Sequence, residues 1–164
     1  DEAIANNERP TVYRGEGTID IATDASAWGW GAIVHDGRDG SIRQYSRPWS
    51  EADRALINTH SSVDAEPEAI WRALCMAIKP SDKCSVHIRS DNVAAVAMIR
   101  RKYSAAFKIN GIAARIEKQF PNVVLSAEHV KGSCNDADGL SRGEPKAVAG
   151  VIFPAIANDR DPLV

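Results

Sequence analysis

The chain has 164 residues, 44% hydrophobic and 26% charged, with a formal net charge of −2. That is one globular domain's worth of sequence, which excludes a disordered chain and a second independent core. It also excludes a strongly basic nucleic-acid coat, but not a nucleic-acid enzyme, because an active site built on metal ions itself concentrates carboxylates.

Residues 1–16 are polar and aperiodic and read as an N-terminal extension. Residues 18–24 alternate, with Ile19, Ile21 and Thr23 facing one way and Asp20, Ala22 and Asp24 the other, which predicts a strand. A second strand is expected over 30–34. A hairpin turn over 35–40 follows, marked by two Asp-Gly pairs, and a third strand over 41–49 completes an antiparallel meander. Ile70, Ala73, Leu74 and Ala77 fall at helical spacing, with Asp64 as the expected N-cap, Pro67 in the first turn and Pro80 as the stop.

Residues 84–89 read as a short strand that turns at Ser90-Asp91-Asn92 into an apolar, buried helix over 93–102. Ile109, Ile112, Ala113 and Ile116 mark a further helix, 123–130 a fifth strand, and 136–142 a short helical piece. Strands separated by helices need crossovers, so the later strands should run parallel to the first. The expected class is α/β, a mixed five-stranded sheet with helices on its faces. The domain is read as 17–142, and 143–164 as a C-terminal tail whose apolar middle, Val151-Ile152-Phe153, can dock on the core.

No apolar stretch approaches the roughly 20 residues of a membrane span, and the Asp-Glu start has neither the basic nor the apolar region of a signal peptide. Cys75, Cys84 and Cys134 fit no zinc or C-x-x-C spacing. Reduced thiols and an intracellular location, cytoplasmic or nuclear, are the expectation.

Four acidic residues sit where strands end or helices begin: Asp24, Glu66, Asp91 and Asp138. Parallel first and fourth strands would bring Asp24 and Asp91 within reach of one cation. Gathered carboxylates repel one another, and divalent cations make the arrangement tolerable. All-oxygen ligation favours Mg²⁺, with Mn²⁺ as a substitute, over zinc. For the acids taken singly, strand-end turns and caps are the plainer reading.

The four segments together resemble the motifs of the ribonuclease H family. They are most similar to the RNase H domains of retroelement reverse transcriptases of the LTR and tyrosine-recombinase types. The resemblance rests on Thr23-Asp24-Ala25-Ser26 with Gly29-Trp30-Gly31-Ala32, and on Glu66 with Ala69-Ile70 and Ala73-Leu74. It rests equally on Ser90-Asp91-Asn92, and on His129-Val130-Lys131-Gly132 with Ala137-Asp138-Gly139-Leu140-Ser141-Arg142.

The resemblance implies an RNase H-like fold and hydrolysis of the RNA strand of RNA/DNA hybrids with two Mg²⁺ ions. Carried over, Asp24 bridges both ions, Asp138 holds the water-activating one, and Glu66 and Asp91 hold the leaving-group one. Ala25, Ser26, Asn92 and Lys131 become substrate-contact candidates. Glu68 and Asp64 rival Glu66, and Asp136 rivals Asp138.

Three features depart from the family, one of them Pro67 directly after Glu66. The basic handle between the second and third helices is missing, since Arg100-Arg101-Lys102 leads almost directly into the next helix, which points to an attached polymerase domain for substrate grip. The mobile histidine after Lys131-Gly132 is also missing. The alternative from a different class is a catalytically inactive RNase H-like scaffold that binds nucleic acid or protein, and a DNA nuclease or integrase of the wider superfamily is the third reading.

The remaining candidates have bland readings. His35, His60, His87 and His129 read as structural. Trp28, Trp30, Trp49 and Trp71 could stack on bases, with core packing the better account for at least two. Asp20 shares strand parity with Asp24 but is not expected to be a ligand.

Overall fold

The computed structural model describes residues 17–101, 107–144 and 151–152. The expected extension over 1–16, Lys102 and most of the tail lie outside these residues. Three antiparallel strands come first: β1 (Thr18–Ala25), β2 (Gly29–Asp36) and β3 (Ser41–Pro48). Then β4 (Cys84–Ser90) lies parallel to β1, and β5 (Val123–His129) lies parallel to β4. This is the mixed five-stranded arrangement expected. A two-residue strand, β6 (Val151–Ile152), adds in parallel to β3, so the order is β5-β4-β1-β2-β3-β6. Val151 and Ile152 of the expected tail therefore join the sheet edge.

Among the described residues, four α-helices accompany the sheet: α1 (Glu51–Leu56), α2 (Ser62–Ala77), α3 (Val93–Arg101) and α4 (Phe107–Gln119). The main core lies between one sheet face, carrying Ile19, Ile21, Trp30, Val34, Val86 and Ile88, and the apolar sides of α2, α3 and α4. The opposite face carries a smaller cluster in which Ala22 and Ile33 meet Ala137 and Leu140 from the last loop. Strand alternation explains the division, because Ile19 and Ile21 must point away from Asp20, Ala22 and Asp24.

Two local expectations are corrected. Helix α2 starts at Ser62 with Ser61 as its N-cap, so Pro67 lies in the second turn and removes an intrahelical hydrogen bond there. Asp64 accepts instead from the backbone N–H of Asn58 at 3.4 Å. Helix α1 is an addition to the expected elements, and the reciprocal capping box of Ser50 and Asp53 announces it.

The closing segment is held by unusual backbone. Gly139 (φ 92°) and Gly143 (φ 79°) bracket a 3₁₀ turn over Leu140–Arg142. The turn rests on Gly31 so closely that a Cβ there would overlap Leu140 Cβ and come within 2.7 Å of the Ser141 nitrogen. Gly31→Ala should therefore destabilise the protein by about 1–3 kcal/mol, the usual cost of overpacking. Urea denaturation checks this, with Gly111→Ala, where the added Cβ meets nothing within 4 Å, as the tolerant control.

Candidate active site

The C-terminal ends of β1 and β4 lie side by side, since these strands pair in parallel. Asp24 is the penultimate residue of β1, and Asp91 follows directly on β4. Glu66 enters from the second turn of α2. The three side chains meet, each offering an oxygen within 4.8 Å of the others. Asp24 and Glu66 are almost wholly buried, at 5% and 4% exposure.

Backbone and hydroxyl donors hold two of these carboxylates. The Ala25 N–H donates to Glu66 Oε2 at 3.3 Å. Ser141 Oγ donates to Asp24 Oδ2 at 2.7 Å. Glu66 Oε1 is buried with no hydrogen-bond partner. A buried, unpartnered oxygen on a carboxylate that belongs to such a cluster is costly unless a cation or a proton takes it up. The all-oxygen donor set suits a hard divalent ion such as Mg²⁺. The residues present therefore fit a metal centre on Asp24, Glu66 and Asp91.

Electrostatics agree with the geometry. Burial, with the charges of Asp91 and Asp138 added, pushes the Asp24 carboxyl up to about 6 against the Ser141 hydrogen bond. Burial together with the charges of Asp24 and Asp91 pushes Glu66 up to about 9. Asp91 is also raised, by burial first and then by Asp138, against a hydrogen bond from Asn135.

The rival residues point elsewhere. Glu68 accepts from Arg115 at 3.2 Å and lies 4.0 Å from Arg72. Asp20 is paired with Arg89 at 3.1 Å. Asp138 is not one of the converging three. Its side chain is 53% exposed and meets Arg142 at 3.3 Å, yet its charge reaches both Asp24 and Asp91. The charge of Asp136 is felt instead at His35.

Three of the substrate-contact candidates have architectural bonds. The Ala25 N–H serves Glu66. Ser26 Oγ donates to the Ser141 carbonyl at 2.6 Å and accepts from the Trp28 and Gly29 N–H groups. Asn92 Oδ1 caps α3 by accepting from the Ala95 N–H at 2.8 Å. Lys131 stands exposed at the start of the turn Gly132–Cys134, directly before Gly132, where an added Cβ would lie 3.4 Å from Asp91 Oδ2. Trp30, Trp49 and Trp71 are core residues, and Trp28 is half-buried against Gly143. His129 Nε2 lies 3.2 Å from the Asp91 carbonyl.

Sequence reasoning missed Ser141 and Asn135 as site residues. Asn135 Nδ2 donates to the Thr23 carbonyl at 2.9 Å, tying the last loop to β1 beside Asp24. Ser141 lies within the fourth motif and Asn135 between its two parts, but nothing in a linear string shows which side chain of such a segment turns inward.

No protein-family model and no curated protein matches the chain. Among solved structures it is similar to the N-terminal RNase H domain of Rv2228c from Mycobacterium tuberculosis. That match has 15% identity and a TM-score of 0.56, covering 79% of this chain and 99% of that one. It is also similar to LC11-RNase H1, isolated from compost by a metagenomic approach, at 23% identity and TM-score 0.52, covering 77% and 93%. LC11-RNase H1 in complex with an RNA/DNA hybrid matches at 22% identity and TM-score 0.50, covering 75% and 91%. The chain has an RNase H-like fold. Among the described residues, no helix is long and apolar enough to cross a membrane.

The raised acids make the metal-free protein pH-sensitive. Where a carboxyl's native pKa exceeds its unfolded value, the native state holds the extra proton and stability falls as pH rises. For Asp24 that loss runs from the ordinary carboxyl value of 3.8 to about 6 and persists above. In chelator at pH 7.5, Asp24→Asn should be more stable than the parent by on the order of 1–3 kcal/mol. Near pH 4 the two should melt together. Thermal melts across this range provide the check.

Proposed function

We propose that this chain is a metal-dependent endoribonuclease that hydrolyses the RNA strand of RNA/DNA hybrids. The observation that carries the reading is the convergence of Asp24, Glu66 and Asp91, with Glu66 Oε1 buried and without a hydrogen-bond partner. Its support is the RNase H-like fold together with the four acidic motifs in order. One protein of this fold is known in complex with an RNA/DNA hybrid, which favours the same substrate class here.

In this reading Asp24, Glu66 and Asp91 hold the metal, with Asp138 contributing from the exposed rim. When bound, a pair of Mg²⁺ ions activates a water and stabilises the leaving oxygen of a phosphodiester. The protein's own part is to orient and desolvate. The Ala25 N–H and Ser141 Oγ fix two carboxylates before substrate arrives. Lys131, exposed and next in sequence to Gly132, offers a charge to a substrate phosphate. Discrimination of the strands rests on the RNA 2′-OH.

We further propose that the domain, residues 17–142, derives from a retroelement reverse transcriptase and relies on an attached polymerase domain for substrate grip. The sequence supports this, because Arg100-Arg101-Lys102 leads almost directly into the helical pattern that includes Ile109, with few residues for a basic handle.

The test is a labelled RNA/DNA hybrid incubated with the purified chain and Mg²⁺ or Mn²⁺. Cleavage of the RNA strand alone is expected, with DNA duplex left intact and chelator abolishing the reaction. Asp24→Asn, Glu66→Gln and Asp91→Asn should each lower the rate by about a hundredfold or more. Glu68→Gln should stay near the parent rate. Hybrid binding with no cleavage at any metal concentration would defeat the proposal in favour of an inactive scaffold.

A further inference from the structure

Three strands place Asp24, Gly31 and Ser46 in one row, since Gly31 pairs with both Asp24 and Ser46. Directly opposed residues of an antiparallel pair share a sheet face. The turn Leu140–Arg142 lies on this row, in the space left by the missing side chain of Gly31. Each neighbour in the row then grips it. Ser46 Oγ donates to the Leu140 carbonyl. Ser26 Oγ donates to the Ser141 carbonyl at 2.6 Å. The turn reciprocates, with Ser141 Oγ donating to Asp24 Oδ2 at 2.7 Å. Ser141 is fully buried, so no water competes for this bond.

We infer that Ser141 is a positioning residue, whose hydroxyl sets the rotation of the Asp24 carboxylate so that its free lone pairs face Glu66 and Asp91. This rests on the metal-centre reading above and adds to it the element that orients the central ligand. A carboxylate has a soft terminal torsion, and Asp24 is repelled by Asp91 and Asp138. Without the hydroxyl, the carboxylate is free to turn away from like charges. With it, the ligand geometry is formed before any cation binds, and the ordering cost is met during folding. The clamp has its own support: Gly31 allows the approach, while Ser26 and Ser46 hold the turn through its carbonyls.

The experiment is calorimetric titration of Mn²⁺ and Mg²⁺ into the full chain without nucleic acid, comparing the parent, Ser141→Ala and Ser46→Ala. Ser141→Ala should weaken metal affinity by about tenfold or more, the usual consequence of losing a bond that orients a ligand. Ser46→Ala loosens the same turn without touching Asp24 and should keep affinity within about twofold of the parent. In hybrid cleavage at fixed Mn²⁺, Ser141→Ala should lose kcat with KM little changed.

Parent-like affinity in Ser141→Ala overturns the inference. Equal weakening in Ser46→Ala overturns it too, because the effect would then be one of turn stability. If the parent itself binds no divalent ion, the metal-centre reading fails and the inference goes with it. Should Ser141→Ala not fold, Ser141→Cys, near in size but a weak donor, is measured against the same expectations.

Discussion

Three carboxylates held together, Asp24 and Glu66 almost wholly buried and Asp91 half-buried, are the condition around which this structure is organised. Each oxygen brought within 4.8 Å of its neighbours adds Coulombic repulsion in a medium that screens it poorly. Left to itself such a cluster would splay or take up protons, and the raised acids Asp24 and Glu66 show the second tendency. The geometry persists because each acid is anchored by something other than its partners. Asp24 is fixed by strand register and the Ser141 hydroxyl, Glu66 by the Ala25 N–H, and Asp91 by its position at the end of β4 and by Asn135. A divalent cation converts that repulsion into attraction.

The two faces of the sheet divide the labour. On one, the aliphatic residues of β1, β2 and β4 bury against α2, α3 and α4 and provide the rigid support. On the other, a 3₁₀ turn rather than a long helix covers the ends of β1, β2 and β3. It needs Gly31 to approach and Gly139 and Gly143 to turn. The placement of Glu66 therefore depends on hydrophobic packing, and the orientation of Asp24 on polar contacts. These respond differently to mutation, since packing defects act on global stability and polar ones act locally.

Helix α2 carries a second set of charges that secures it. Arg72 is buried, pairs with Asp53 of α1 at 2.9 Å and stacks over Trp49. Arg115 of α4 stacks over Trp71 and meets Glu68. Trp49 in turn donates from Nε1 to the Ser26 carbonyl at 2.7 Å. The helix that delivers Glu66 and the loop that follows Asp24 are thus tied to one buried ionic group. Breaking such a group by removing one partner is expensive, which makes Arg72 a structural counterpart to the acids one and two turns away.

Periodicity and punctuation alone determined the order of five strands, three of the helices and the parallel pairing of β1 with β4, because these depend on local alternation and on the crossover that any intervening helix imposes. The same reading placed Asp24, Glu66, Asp91 and Asp138 at element ends, where side chains can converge. Tertiary structure decided which of them do. It turned Glu66 inward and Glu68 toward Arg115, one residue apart from Pro67 on the same helix. It left Asp138 at an exposed rim beside Arg142, and it brought Ser141 to Asp24 across 117 positions of sequence. Those choices turn on helix rotation and on contacts between distant segments, whose energies depend on distances that a linear order of residues does not contain.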